Sequence, residues 1–390
     1  MKYVTILCDG MADYDDEKGL TPMKEAKKPT MDFLCSRSEM GLVKTVPDGM
    51  KPGSDTANLS AMGYDPKIYY TGRSPLEAAS IGIALDKADV TYRLNLVTLS
   101  EEANFSQKKM LDYSAGEIPT KEAAKLIRLL QPIVPQGFEL FAGVSYRHCL
   151  VHRGGAAGAD LIPPHDISGR VIKDYLPRGE NADVFLKFYK EAHALLKKSA
   201  NPTKANAVWI WGEGKKPALD GFTEKYGKTG AVISAVDLIK GIGILSGMDV
   251  INVDGATGTV KTNFDGKAAA AIDALKTHDF VYVHLEAPDE CGHQGDGKGK
   301  IRAIELIDEK ILSPIYNYLK ETGDDFKILV LPDHPTPLSV RTHVSDPVPF
   351  FLFDSTKAVE NKYAFNEDGA KQSGLFIESG VELVKRLFGA

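Results

Sequence analysis

The residue types best suited to holding a divalent cation are concentrated in three short stretches. The first is Cys8-Asp9-Gly10. The second is Glu286-Ala287-Pro288-Asp289-Glu290-Cys291-Gly292-His293. The third is Pro332-Asp333-His334, with His343 nine residues further on. Each follows a short apolar, β-rich run: Tyr3 to Leu7, Phe280 to Leu285 and Lys327 to Leu331. In an open α/β sheet, ligands bind beyond the carboxyl ends of the strands. A single strand-end aspartate is usually a turn residue or a helix cap. Three strands ending in Asp or Asp/His, holding three of the nine histidines, point instead to a shared metal site. Carboxylate and imidazole without thiolate suit Mn, Zn, Co or Mg rather than an iron–sulfur centre. The carboxylates exceed what one closed tetrahedral zinc requires. Paired ions roughly 3.5–4 Å apart are a recurring device for in-line displacement at phosphorus.

A nucleophile of the right type stands in Lys51-Pro52-Gly53-Ser54-Asp55-Thr56-Ala57-Asn58. Pro-Gly makes a sharp turn, and the stretch to Met62 has a helical pattern, which puts Ser54 in the first turn or at the N-cap. Capping is the common use of serine there. Next to a metal centre the same position has a second use, because a helix N-terminus favours negative charge and a metal can hold the hydroxyl as an alkoxide.

The elements that must position these residues alternate. Tyr3 to Leu7, Phe280 to Leu285, Lys327 to Leu331 and Phe350 to Phe353 have the pattern of buried strands. Leu20 to Cys35, Ala268 to Lys276 and Ile301 to Leu319 have that of helices. Such alternation predicts an α/β fold around a mostly parallel sheet. The middle of the chain has its own strands (Phe138 to Phe141, Cys149 to His152), a Gly/Pro-rich turn region (Gly154 to Pro164), a helix (Asp183 to Lys198) and a connector at Asn201 to Lys204. It holds few of the chemically suggestive acids and histidines. The expected organisation is therefore a discontinuous metal-binding core, residues 1–92 and 206–390, with a smaller domain, residues 93–205, inserted in it.

With 47 Lys+Arg against 53 Asp+Glu in 390 residues, the net charge of −6 argues against a broad nucleic-acid surface. No apolar run approaches the roughly 18 residues of a membrane span. The first residues, Met1 to Asp9, do not resemble a signal peptide. The four cysteines are scattered without a CxxC pair. A reduced, cytoplasmic protein is the expectation.

The strand-end Asp-Gly, the PGSDTAN segment, GRSPLEAA (Gly72 to Ala79), EAPDECGH and PDHPTP together resemble the cofactor-independent phosphoglycerate mutases of the archaeal type, members of the alkaline phosphatase superfamily. The resemblance runs over nearly the whole chain. It implies an alkaline-phosphatase-like α/β core, with a mostly parallel central sheet flanked by helices, and an inserted smaller α+β domain that closes over the site. It implies one metal site of Asp9, Ser54, Asp333 and His334 and a second of Asp289, His293 and His343. Ser54 is then the residue that becomes phosphorylated. The implied reaction interconverts 2- and 3-phosphoglycerate with two divalent ions, Mn foremost and Zn, Co or Mg as alternatives, and without 2,3-bisphosphoglycerate. The implied partner is a small phosphorylated acid, not a nucleic acid or a membrane.

A phosphorylated acid requires cations, and arginine forks match phosphate and carboxylate. The candidates for substrate contact are Arg73, Arg93 and Arg153, then His165 and Asp166 in a segment similar to the family's substrate-facing loop, then Lys225 and Lys240; each is equally open to being a surface charge or a turn residue. One position departs from the family pattern: in Trp209-Ile210-Trp211-Gly212-Glu213-Gly214, Trp211 stands where many of these mutases have an arginine. That variant resembles a branch described as proposed homoserine kinases, so another metal-dependent phosphotransferase, or a phosphatase, is the alternative. There is no GxxxxGK[ST] motif, and Gly295 to Lys300 has the composition of a flexible loop. His148, His152, His193, His278 and His284 are expected as surface or packing residues.

Overall fold

The computed structural model describes residues 1–199 and 201–389. The chain divides into two compact units, one of Met1–Tyr70 and Ala218–Ala390, the other of Thr71–Pro217. In chain order the strands of the first unit begin with β1 (Lys2–Cys8) and β2 (Glu39–Val43). The second unit contributes β3 (Val90–Leu99), β4 (Met110–Asp112), β5 (Phe138–Phe141), β6 (Arg147–His152), β7 (Ala159–Asp160), β8 (Arg178–Gly179) and β9 (Ala207–Lys215). The first unit resumes with β10 (Gly230–Ile233), β11 (Asp249–Ile251), β12 (Phe280–Leu285), β13 (Phe326–Leu331), β14 (Val348–Asp354) and β15 (Phe376–Ile377).

The first unit is built on an eight-stranded sheet in the order β11-β10-β12-β1-β13-β14-β2-β15. Its neighbours are parallel except at β13–β14 and β14–β2. The runs Tyr-Val-Thr-Ile-Leu, Phe-Val-Tyr-Val-His-Leu and Lys-Ile-Leu-Val-Leu are apolar on both faces because these central strands are buried on both, as parallel sheets require. With β12, β1 and β13 adjacent and parallel, the three loops that follow them leave the same edge of the sheet.

Two expected helices are interrupted. The stretch 20–35 forms Pro22–Glu25 and Pro29–Cys35. Pro29 lacks an N–H and pushes Lys28 out of helical geometry, to φ −132°, so the helix must restart. Lys28 supplies no cap. Buried Asp308 does, accepting from the backbone N–H of Thr30 at 3.1 Å and of Met31 at 2.6 Å. Asp308 opens a π-helical turn, Asp308–Leu312, that divides the helix expected over 301–319 into Gly297–Ile307 and Ser313–Thr322. Pro314 cannot donate a helical bond to the turn before it.

The segment Gly295 to Lys300, expected as a flexible loop, is an ordered helix start. Asp296 is the N-cap and accepts from Gly299 N–H at 2.9 Å. Lys300 is fully buried; its ammonium donates to Asp13 Oδ2 at 2.7 Å, to the Thr336 carbonyl at 2.9 Å and to that of Ala12 at 3.2 Å. A buried charge persists when paired and hydrogen-bonded in this way. It ties the loop after β1 to the loop after β13.

The second unit is an antiparallel α+β fold. Its main sheet runs β4-β3-β6-β5, with β9 paired to β3 from Val90 opposite Lys215 to Val97 opposite Ala207. The helices Thr120–Leu130 and Ala182–Lys198 turn Leu126, Ile127, Leu130, Phe185, Phe188 and Leu196 into its core. This unit is wider at both ends than the expected span 93–205. The whole of β9 is bound to β3 by pairing, and the helix Ser74–Ser80 places Ala78 in a small apolar cluster with Val151 and Cys149 of β6.

Candidate metal centre and nucleophile

Parallel register brings the site together. Leu7 of β1 pairs with His284 of β12 on one side and with Leu331 of β13 on the other. The residues two steps beyond Leu7 and Leu331, Asp9 and Asp333, therefore emerge side by side. The turn after β1 requires glycine at position 10: its φ is +63°, and a Cβ there would lie 2.6 Å from Asp289 Oδ1. Only a residue without a side chain permits that approach. Gly10 N–H in turn donates to Asp333 Oδ1 at 3.1 Å. Beyond β12, the helix Ala287–Gln294 carries Asp289 and His293 one turn apart on one face.

The ligand-type atoms form three overlapping groups: Asp289, His293 and His343; Asp9, Asp289 and His334; and Asp9, His284 and Asp333. Within each group the atoms lie within 4.8 Å of one another. Asp289 approaches His293 Nε2 at 3.2 Å and His343 Nε2 at 3.4 Å. His334 Nε2 lies 3.6 Å from Asp9 Oδ1 and 3.4 Å from Asp333 Oδ2. Ser54 is the first residue of the helix Ser54–Ala61, and Gly53 occupies the N-cap position, so the serine side chain is not a cap. Its Oγ lies 3.4 Å from Asp9 Oδ2 and 3.3 Å from His334 Nε2.

A surrounding layer orients these groups. Asn58 donates to Asp333 Oδ2 at 2.8 Å and accepts from Tyr282 OH at 2.7 Å. Thr336 Oγ donates to Asp289 and lies 3.3 Å from His334 Nδ1.

The electrostatics are those of buried acids in contact with one another and with histidines. Burial raises the Asp9 carboxyl well above the ordinary carboxylate range, and Asp333, Asp289 and Glu286 add to the rise. Burial also opposes ionisation of Asp289, but hydrogen bonds from His293 and His343 outweigh it and hold that carboxyl well below its usual value. The bond to Asp289 pushes His293 up to about 9. Burial lowers His334 and takes His284 down to about 3. Asp9 Oδ1 is buried and has no hydrogen-bond partner among the described residues. Carboxylates and imidazoles converging around an unsatisfied oxygen fit a divalent cation of the oxygen- and nitrogen-binding kind.

Asp9, Ser54, Asp289, His293, Asp333, His334 and His343 thus stand together in the first unit. The other candidates are placed differently. Arg153 pairs with Asp89 and Glu139, at 2.7 Å each, and donates to the Ala84 carbonyl. Lys225 packs on Tyr64, Tyr69 and Tyr226, with its ammonium 4.7, 5.2 and 5.7 Å from the ring centres. Lys240 lies on the helix Asp237–Leu245. Arg73 and Arg93 share Glu77, each at 2.9 Å, and Arg93 lies 4.2 Å over the Trp211 ring. Trp211 donates to Asn95 Oδ1 at 3.0 Å and meets His165 edge-on at 5.2 Å. Asp166 is exposed, 3.6 Å from His165.

His284 is indeed a satisfied buried ring, but the group that satisfies it is Asp9 Oδ2, at 3.0 Å. Its position in an apolar strand concealed this; the available signal was its place five residues before Asp289, at a strand end. Glu77, inside the GRSPLEAA segment, was the acid to look for beside the two arginines.

A family model described as 2,3-bisphosphoglycerate-independent phosphoglycerate mutase matches residues 35–201. Relatives bearing that same description are found in Methanothrix thermoacetophila, 46% identical over 99% of both chains, and Methanosarcina barkeri, 45% identical over 98% of both. Among solved structures, a Pyrococcus horikoshii protein superposes with a TM-score of 0.81 at 28% identity, covering 100% of this chain and 97% of that one. A cofactor-independent phosphoglycerate mutase from Thermoplasma acidophilum gives 0.67 at 26% identity, covering 100% of each chain. With identity of this order over essentially its full length, the chain belongs to the 2,3-bisphosphoglycerate-independent phosphoglycerate mutase family.

Proposed function

We propose that this enzyme interconverts 2- and 3-phosphoglycerate through a phosphoserine at Ser54, with divalent ions, Mn foremost, held by Asp9, Asp333 and His334 on one side and by Asp289, His293 and His343 on the other. The observation that carries the reading is the position of Ser54: its hydroxyl lies within 3.4 Å of both Asp9 and His334 at the start of a helix. Bound cations supply Lewis-acid charge that favours the ionised serine oxygen and offsets charge on the transferring phosphoryl group.

The chain's own groups do the rest. The helix start holds Ser54 where backbone N–H groups favour negative charge. Ser54 Oγ gives up its proton and forms a bond to phosphorus while the bond from phosphorus to the substrate oxygen breaks, and the departing oxygen takes up a proton in turn. The retained glycerate then presents its other hydroxyl, which loses its proton as it takes the phosphoryl group and frees Ser54. Asn58 and Gly10 keep Asp333 fixed, and Thr336 keeps Asp289 fixed, so the acids do not reorganise between steps. We propose Arg73 and Arg93 as the guanidinium groups that recognise the substrate's anionic groups.

The test is a coupled assay on 3-phosphoglycerate with Mn²⁺ and with neither nucleotide nor 2,3-bisphosphoglycerate, together with mass spectrometry of acid-quenched enzyme. Formation of 2-phosphoglycerate and a phosphate adduct on Ser54 is expected. Free phosphate as the main product, a requirement for ATP, or an adduct on another residue overturns the reading.

A further inference from the structure

We propose that His284 is a positioning residue: a neutral ring carrying its proton on Nε2, which donates to Asp9 Oδ2 and fixes that carboxylate, while Ser234 holds the ring in this tautomer. The proposal rests on the reading of Asp9 as a metal ligand and adds to it the device that aims the ligand.

The sheet order β10-β12-β1 places the ends of three parallel strands side by side, with Ile233 opposite Val283 and Leu7 opposite His284. The next groups outward form a row: Ser234, His284, Asp9. Val236 N–H donates to Ser234 Oγ at 2.9 Å, and the hydroxyl hydrogen can turn to His284 Nδ1, 3.2 Å away. Nδ1 then accepts, so Nε2 carries the proton and donates to Asp9 Oδ2 at 3.0 Å. A neutral imidazole has one donor and one acceptor, and an ionised carboxylate only accepts. With Asp9 ionised, the row has a single consistent direction of donation, from Ser234 to His284 to Asp9. Lys267, buried beneath it, donates to the His284 carbonyl at 3.2 Å and holds the strand end. With Oδ2 held from behind, Asp9 keeps Oδ1 as the unpartnered oxygen, 3.6 Å from His334 Nε2.

The competing assignment makes His284 a ligand itself, since its ring nitrogen also groups with Asp9 and Asp333. A ligating Nε2 must offer its lone pair, which places the proton on Nδ1. The two assignments are opposite tautomers and are separable by experiment.

Nitrogen-15 NMR of the His284 ring, in chelator-treated protein and in protein loaded with Zn²⁺, should report Nε2–H in both states. Nδ1–H in either state overturns the proposal, and this measurement needs no variant. Calorimetric Zn²⁺ affinity gives the second readout. His284→Ala should weaken binding about 10- to 100-fold, the range for loss of a partner behind a metal ligand. His284→Gln, whose amide N–H reaches the Nε2 position, should stay within about threefold of the unaltered chain, and Ser234→Ala should lose less than His284→Ala. Equal losses for Gln and Ala, or no loss for Ala, overturn the proposal. A chain that binds no Zn²⁺ at all would defeat the metal reading of Asp9, while the tautomer would still decide whether His284 donates to it.

Discussion

The charged side chains at the strand ends and those of the second unit are assembled in opposite ways. At the strand ends, Asp9, Asp289 and Asp333 are buried together, and their neighbours are other acids and histidines. In the second unit, Glu77 lies between Arg73 and Arg93, and Arg153 lies between Asp89 and Glu139. In the first set, burial and the neighbouring acids oppose ionisation of Asp9, a penalty that a bound cation would offset. The second neutralises itself. Clustered acids and histidines, held in place by Asn58, Thr336 and His284, are the arrangement that the proposed cation site requires. Balanced charge of the second kind needs nothing further to be stable, whatever else it does.

The largest effect should come from the nucleophile. Ser54→Ala should lower turnover by at least about 10⁴-fold, as removal of a covalent nucleophile does, while calorimetry finds metal still bound; turnover within tenfold of the unaltered enzyme would remove the serine from the chemistry. Next, Asp9→Asn takes away the acid shared by Ser54 and His334 and should weaken metal binding by more than about 100-fold. The metal-free fold should be no less stable in urea, since burial and the neighbouring acids hold this carboxyl above its usual value. A marked loss of stability would mean that the acid cluster is structural after all.

The second unit should respond in the reverse sense. Glu77→Ala leaves Arg93 buried without its acid and should destabilise this unit by about 3 kcal/mol, with metal affinity unchanged. Both tryptophans, Trp209 and Trp211, lie in β9, so indole fluorescence during urea unfolding reports on this unit alone.

The pH dependence follows from the same pair. Burial opposes ionisation of Glu77, but Arg93 and Arg73 outweigh it and leave the carboxyl below its usual value. A folded-state pKa below the unfolded one contributes stability that is present above about 4.3 and is lost as pH falls through the depressed value. Acid titration of the fluorescence transition should show this slope in the unaltered chain and lose it in Glu77→Gln. The smallest effect belongs to Trp211→Leu, which removes the ring under Arg93 and should reduce stability by about 1 kcal/mol; a change in metal affinity from this substitution would break the separation between the two regions.

The residues at the strand ends were legible in the chain because their signal is local. An apolar run of five or six residues followed at once by Asp or Asp-His needs no knowledge of the rest of the fold. The same holds for the strands β1, β12, β13 and β14 and for the helix that begins at Ser54. What failed depended on partners far away in sequence. Asp308 caps a helix 278 residues earlier, Lys300 finds Asp13 across 287, and His284 finds Asp9 across 275. Glycine content alone made Gly295 to Lys300 resemble a loop, and only the buried acceptors around Lys300 turned it into a helix start. Arg153, a free cation by composition, is taken up by Asp89 and Glu139, on segments its neighbours in sequence do not reveal. The sequence by itself determined which residues can ligate and where strands end, since those depend on side-chain type and short-range pattern. The tertiary structure decided which charges are paired and which are left facing one another, because Coulomb energy and hydrogen bonding act over a few ångströms of space, whatever the separation along the chain.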